Sequence, residues 1–114
     1  MDESYKYLHD ILSAIEEIEI FVSQRPRQFS VFLDDLMFRR AIERNIEIIG
    51  EAMNRVLKQN PDLPISNSRK IVNTRNYVIH AYDSLSPELL WGIVINSLPL
   101  LKEEIISILK PPKS

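Results

Sequence analysis

Residues 40–58 read Arg40-Ala41-Ile42-Glu43-Arg44-Asn45-Ile46-Glu47-Ile48-Ile49-Gly50-Glu51-Ala52-Met53-Asn54-Arg55-Val56-Leu57-Lys58. Ile42, Ile46, Ile49, Met53 and Val56 recur at alternating spacings of four and three, the apolar stripe of an α-helix with a buried face. Arg40, Arg44, Glu47, Glu51 and Arg55 form a polar row beside that stripe. The stretch predicts the longest uninterrupted helix of the chain, running from about Ser30 or Phe32 to Lys58. It stops ahead of Asn60-Pro61, because a residue that precedes proline is pushed out of helical backbone. Gly50 is costly inside a helix and is explained by close approach of a second helix.

The pattern continues on both sides. Leu8, Ile11, Leu12, Ile15, Ile18 and Val22 predict an earlier helix, with Asp2 or Ser4 as its N-cap and an end before Pro26. Pro61, Pro64, Ser66 and Asn67 make a connector, after which Ile71, Arg75, Val78 and Tyr82 share one face of a third helix. Ser86-Pro87-Glu88 supplies a capping hydroxyl, a proline at the first helical position and an acid in the first turn. Trp91, Val94, Leu98, Leu101, Ile105 and Ile108 then keep helical spacing straight through Pro99. This fourth helix is therefore expected to continue past the proline with a kink where the Ile95 carbonyl loses its donor, and to end at Pro111-Pro112. No stretch alternates as a strand does. The expected fold is all-α, an antiparallel bundle of four helices, or five if Pro99 divides the last, in a single domain over residues 1–114.

Composition agrees with that fold and removes several functions. The chain has 114 residues, 45% hydrophobic and 26% charged, which suits one globular domain and not a disordered chain. It has no cysteine, so disulfides, thiolate metal sites and cysteine nucleophiles are excluded. Its longest apolar run, Leu89 to Ile95, is far short of the roughly 20 residues of a membrane span. The N-terminus is acidic and lacks the apolar core of a signal peptide, so a cytoplasmic protein is expected. Net charge is -2, yet Arg25 to Arg75 holds ten Lys/Arg against six Asp/Glu, which allows a local basic surface on an acidic molecule.

Two histidines without His-x3-His or Glu-x2-His spacing argue against a metal site, and phosphate-loop and Gly-x-Ser-x-Gly motifs are missing. No metal and no cofactor are expected. His9, between Leu8 and Asp10, reads as a helix-surface residue. The chemistry concentrates in Asn73-Thr74-Arg75-Asn76-Tyr77-Val78-Ile79-His80-Ala81-Tyr82-Asp83. On a helix Arg75 and Tyr82 project the same way, while Asn76, His80 and Asp83 line another face. Asn76 or Asp83 is placed to orient the His80 imidazole, and Arg75 offers a charged fork suited to a phosphate, a toolkit for phosphodiester chemistry. The other reading is a hydrogen-bonded helix end with Tyr82 in the core.

Arg75-Asn76, His80 and Tyr82 make an Arg-x4-His-x-Tyr motif that resembles the signature of the HepT-like branch of the HEPN superfamily, small helical proteins that include ribonuclease toxins. The segment Arg40 to Ala52, with its Ile-Gly-Glu-Ala run, resembles that family's long helix, and Trp91 with Leu98-Pro99-Leu100-Leu101 resembles its closing helix. The similarity runs from about Phe32 to Leu109. One departure is that Pro64 is followed by Ile65-Ser66-Asn67 where many members carry a tryptophan, which bears on substrate preference.

The resemblance implies a dimeric HEPN bundle and a metal-independent endoribonuclease in which the RNA 2′-hydroxyl attacks the adjacent phosphate. His80 is then the general acid or base and Arg75 stabilises the transition state. Asn76, Asp83 and Glu51 are supporting residues. Tyr82 corresponds to the tyrosine that a minimal nucleotidyltransferase antitoxin modifies with AMP. Expected partners are RNA, that transferase and a second copy of the chain, with no membrane. Glu47 and Glu51 either sit on a solvated face laced with ion pairs or buttress the motif arginine across a cleft. The rival function is a non-catalytic helical module that binds a nucleotide or the transferase.

Overall fold

The computed structural model describes residues 3–65 and 86–110. The helix expected between Phe32 and Lys58 divides in two, α2 (Phe29–Asp34) and α3 (Leu36–Gln59), after α1 (Ser4–Ser23). The division is made by Asp35, whose backbone is extended at φ -108° and ψ 95°. Its Oδ1 accepts from the Phe38 N–H at 3.0 Å, an N-cap inside what the periodicity alone treats as continuous helix. Its Oδ2 accepts from Arg25 Nε at 3.3 Å, and Arg25 also donates to the Phe21 carbonyl at 2.8 Å and lies 4.4 Å over the Phe38 ring. One arginine thus pins the end of α1 to the α2–α3 corner, and that tertiary link rewards breaking the helix there.

Helix α3 still has 24 residues and is the longest of the described helices. It runs antiparallel to α1. Ser4 Oγ donates to Gln59 Oε1 at 2.8 Å at one end, Asn45 reaches Glu17 in the middle, and Arg25 meets Asp35 at the other end. Ser4 is therefore not an N-cap. Glu3 occupies the cap position without a side-chain bond, and the Ser4 hydroxyl is buried in a cross-helix pair, joined by the Asn60 amide. Asp2 lies outside the described residues.

The fourth expected helix begins as its sequence predicts. Ser86 Oγ accepts from the Leu89 N–H at 3.2 Å, with Pro87 in the first turn of α4 (Pro87–Gly92). The chain passes Pro99, but the adjustment is a π-helical turn at Ile93–Ser97, followed by α5 (Leu98–Leu109). Inside this turn the Leu98 N–H donates to Ile93 O, five residues back, so the missing proline donor is absorbed in a wider ring just before it.

The core is the sum of these stripes. Leu8, Ile11, Ile15 and Ile18 of α1 meet Ile42, Ile46, Ile49, Met53 and Val56 of α3, all at 1% exposure or less. Phe32 is fully buried, with Phe38 edge-on at 5.3 Å and Trp91 at 5.1 Å between ring centroids, which ties α2 to α3 and α4. Ile65, the residue that departs from the family's tryptophan, is 8% exposed and joins this core. The expected all-α, HEPN-like bundle is observed, with no strand among the described residues. The third expected helix and Pro111-Pro112 lie outside them.

Candidate functional site

Of the residues expected to carry chemistry, Glu51 is described, and Arg75, Asn76, His80, Tyr82 and Asp83 lie outside the described residues. Glu51 sits on α3, half-buried, and its Oε1 accepts from Arg55 Nε at 3.3 Å, one helical turn on. Arg55 also lies 5.7 Å over the Tyr7 ring of α1. Tyr7, and then Glu51, hold the Arg55 guanidinium above even its ordinary high value. This part of the polar row is thus an ion-paired surface. Arg40 and Arg44 are exposed and Glu47 is half-buried.

The row forms one wall of a groove of about 610 Å³ along the α1–α3 seam. Tyr7, Asp10, Ser13, Ala14 and Glu17 line it from α1, and Arg44, Asn45, Glu47, Ile48, Glu51, Ala52 and Arg55 from α3. The lining follows the helical repeat on both sides, so the groove is the direct product of two amphipathic helices packed antiparallel. Sequence reading missed Tyr7, Glu17 and Asn45. The available signal was Asn45, a polar residue directly beside Ile46 in an apolar stripe and buried at 4% exposure. Its amide nitrogen donates to Glu17 Oε1 at 3.3 Å and to the Ala41 carbonyl at 3.1 Å.

No group of three His, Cys, Asp or Glu side chains among the described residues is arranged to hold a metal ion. His9 is exposed, as expected of a surface residue. No described helix is long and apolar enough to cross a membrane.

Residues 11–108 match the family described as Ribonuclease HepT-like. The chain belongs to the HepT-like ribonuclease family. It is 37% identical over 107 residues to a protein of Thermococcus cleftensis named Probable ribonuclease HepT, covering 90% of this chain and 93% of that one. It is 32% identical over 108 residues to a candidate RNase of Methanocaldococcus jannaschii, covering 91% of this chain and 85% of the relative. A second candidate RNase of that organism is 32% identical over 103 residues, covering 87% and 90%. No solved structure gives a significant match. Membership of a HepT-like ribonuclease family agrees with the enzyme class that the motif resemblance implied, an endoribonuclease.

Proposed function

We propose that this single HEPN-like domain, residues 1–114, is the cytoplasmic toxin of a toxin–antitoxin pair, a metal-independent endoribonuclease. The observation that carries the reading is Arg75-x4-His80-x-Tyr82 inside the 11–108 stretch that matches the ribonuclease family. RNA supplies its own nucleophile. The 2′-hydroxyl oxygen bonds to phosphorus, the bond from phosphorus to the 5′-oxygen breaks, and a cyclic 2′,3′-phosphate and a free 5′-hydroxyl result. One proton leaves the 2′-hydroxyl and one reaches the departing oxygen, tasks for an imidazole that titrates near neutral pH. Arg75 matches the negative charge that grows on the phosphate oxygens.

Residues five apart on a regular helix point about 140° from each other, so Arg75 and His80 of one helix do not meet on one phosphate by themselves. A two-fold dimer resolves this, with His80 of the partner subunit as the complementary acid or base. Asn76 and Asp83 hold the imidazole, and Glu51 supports the motif arginine. Regulation rests on Tyr82. A minimal nucleotidyltransferase that places AMP on its hydroxyl adds a phosphodiester charge seven residues from Arg75, where it competes with RNA phosphate.

The test is RNA cleavage by purified His80→Ala and Arg75→Ala proteins, with helicity checked by circular dichroism. Each variant is expected to lose at least a hundredfold in rate with the fold intact, and wild-type cleavage to survive chelation. Undiminished cleavage in both variants overturns the assignment of the site, abolition by chelation overturns the metal-free scheme, and a folded wild type that cleaves nothing restores the rival binding module.

A further inference from the structure

The first turns of α3 carry two consecutive arginines beside the start of α4. Arg39, Arg40 and Glu43 line a cleft of about 260 Å³ together with Leu36, Leu90 and Ser86, the cap of α4. Arg39 is half-buried, and its Nη1 donates to the Leu33 carbonyl at the end of α2, which fixes the guanidinium and leaves its remaining N–H groups for other acceptors. Arg40 is exposed, and no hydrogen bond or ion pair engages it among the described residues. Glu43, the one acid of this lining, already has an interaction of its own. Positive side chains therefore outnumber negative ones in the cleft, and an arginine is the forked donor that suits a phosphate.

Size, lining and place narrow the kind of phosphate. The cleft is smaller than the roughly 300–1,000 Å³ of a small-molecule pocket, so it takes one unit of a longer chain and not a whole ligand. No aromatic residue is in its described lining, so nothing there stacks on a base, and a contact made in it is with the backbone and indifferent to sequence. Ser86 follows His80 by six residues, and six residues of chain span at most about 22 Å. A strand whose scissile phosphate lies at the proposed Arg75 and His80 site reaches the cleft within a few nucleotides.

We propose that Arg40, with Arg39 beside it, holds a phosphate of the RNA strand outside the cleaved linkage, a positioning contact and not a catalytic one. This role rests on the proposed ribonuclease site for its place on the strand. Binding of labelled 2′-O-methyl single strands of two unrelated sequences, which lack the attacking hydroxyl, is measured by fluorescence anisotropy against salt with the full chain. One phosphate contact on a single strand contributes about 0.7 to the slope of log affinity against log salt, or about fivefold in affinity at 0.1 M relative to 1 M. Arg40→Ala is expected to lose that much on both sequences and Arg40→Lys to keep the slope. Lys58→Ala, an equal charge change near the other end of α3, is expected to leave binding as it is. With cleavable RNA, Arg40→Ala should raise KM and leave kcat unchanged, whereas His80→Ala should bind the 2′-O-methyl strands as wild type does and cleave nothing. An unchanged slope in Arg40→Ala, an equal loss in Lys58→Ala, a loss confined to one sequence, or no binding of either strand by wild type overturns the phosphate role. Cleavage that persists in His80→Ala overturns the proposed catalytic site instead, and the salt slopes, measured on strands that cannot be cleaved, do not depend on it.

Discussion

Asp35 uses the two oxygens of one carboxylate for two jobs, capping α3 through Phe38 and anchoring Arg25 of the α1 end. The bond from the Phe38 N–H, outweighing the effect of burial and helped by Arg25, holds its carboxyl below the usual carboxylate range. A carboxyl more acidic in the folded state contributes stability that is fully present above its unfolded value of about 3.9 and is lost as pH falls through the lower folded value. Asp35→Asn keeps a capping oxygen and removes the charge. Wild type should therefore unfold at higher urea than Asp35→Asn at pH 7, and the difference should close as pH drops below about 4. Tyr82 is the second residue-scale test, and it follows from the proposed regulation. Tyr82→Phe keeps the ring and removes the acceptor oxygen, so the variant is expected to cleave RNA, gain no adenylyl mass from the partner transferase with ATP and magnesium, and escape inhibition. Equal modification and silencing of Tyr82→Phe, read by intact mass and RNA cleavage, removes Tyr82 from that role.

At the scale of elements, the six-residue α2 has no stability of its own and depends on what it buries. Phe32 supplies that, fully enclosed by Phe38, Trp91 and Phe29. Phe32→Ala should cost about 3–5 kcal/mol in urea unfolding, since the aromatic cluster cannot collapse around the cavity without moving three helices. Ser86→Ala removes the cap of α4 alone and should cost about 1 kcal/mol, a contrast between losing an element's anchor and losing its first hydrogen bond. The helix starts at Ser86 and the stops before Pro26 and at Asn60 were readable because capping and proline chemistry act within a few residues. The split at Asp35 was not. The Asp35 cap is local and was there to be weighed, but Arg25, ten residues away, decides whether using it gains more than continuing the helix. The π turn at Ile93–Ser97 follows the same logic, for Pro99 announces a disturbance and the packing of Ile93, Val94 and Leu98 in the core selects its form.

For the whole molecule, the proposed composite site requires two copies with the motif helices facing across a two-fold axis, an isologous arrangement. Sedimentation at micromolar concentration should give a dimer, and exchanging wild-type subunits with an excess of folded His80→Ala protein should lower cleavage per wild-type subunit at least tenfold, because each mixed dimer lacks one of the two histidines. Monomer throughout, or undiminished cleavage in the mixed dimers, removes the partner's histidine from the mechanism. By itself the sequence determined the all-α class, the apolar faces of α1 and α3, the cap at Ser86 and the family resemblance, because helical period, capping and a spaced motif are properties of neighbouring residues. Only the tertiary structure decided that Ser4 ties α1 to the end of α3, that Arg25 and Asp35 close the other end, and that Asn45 and Glu17 meet across a groove. Those pairs are separated by up to 55 residues, and no local rule sets the antiparallel register that brings them within hydrogen-bond reach.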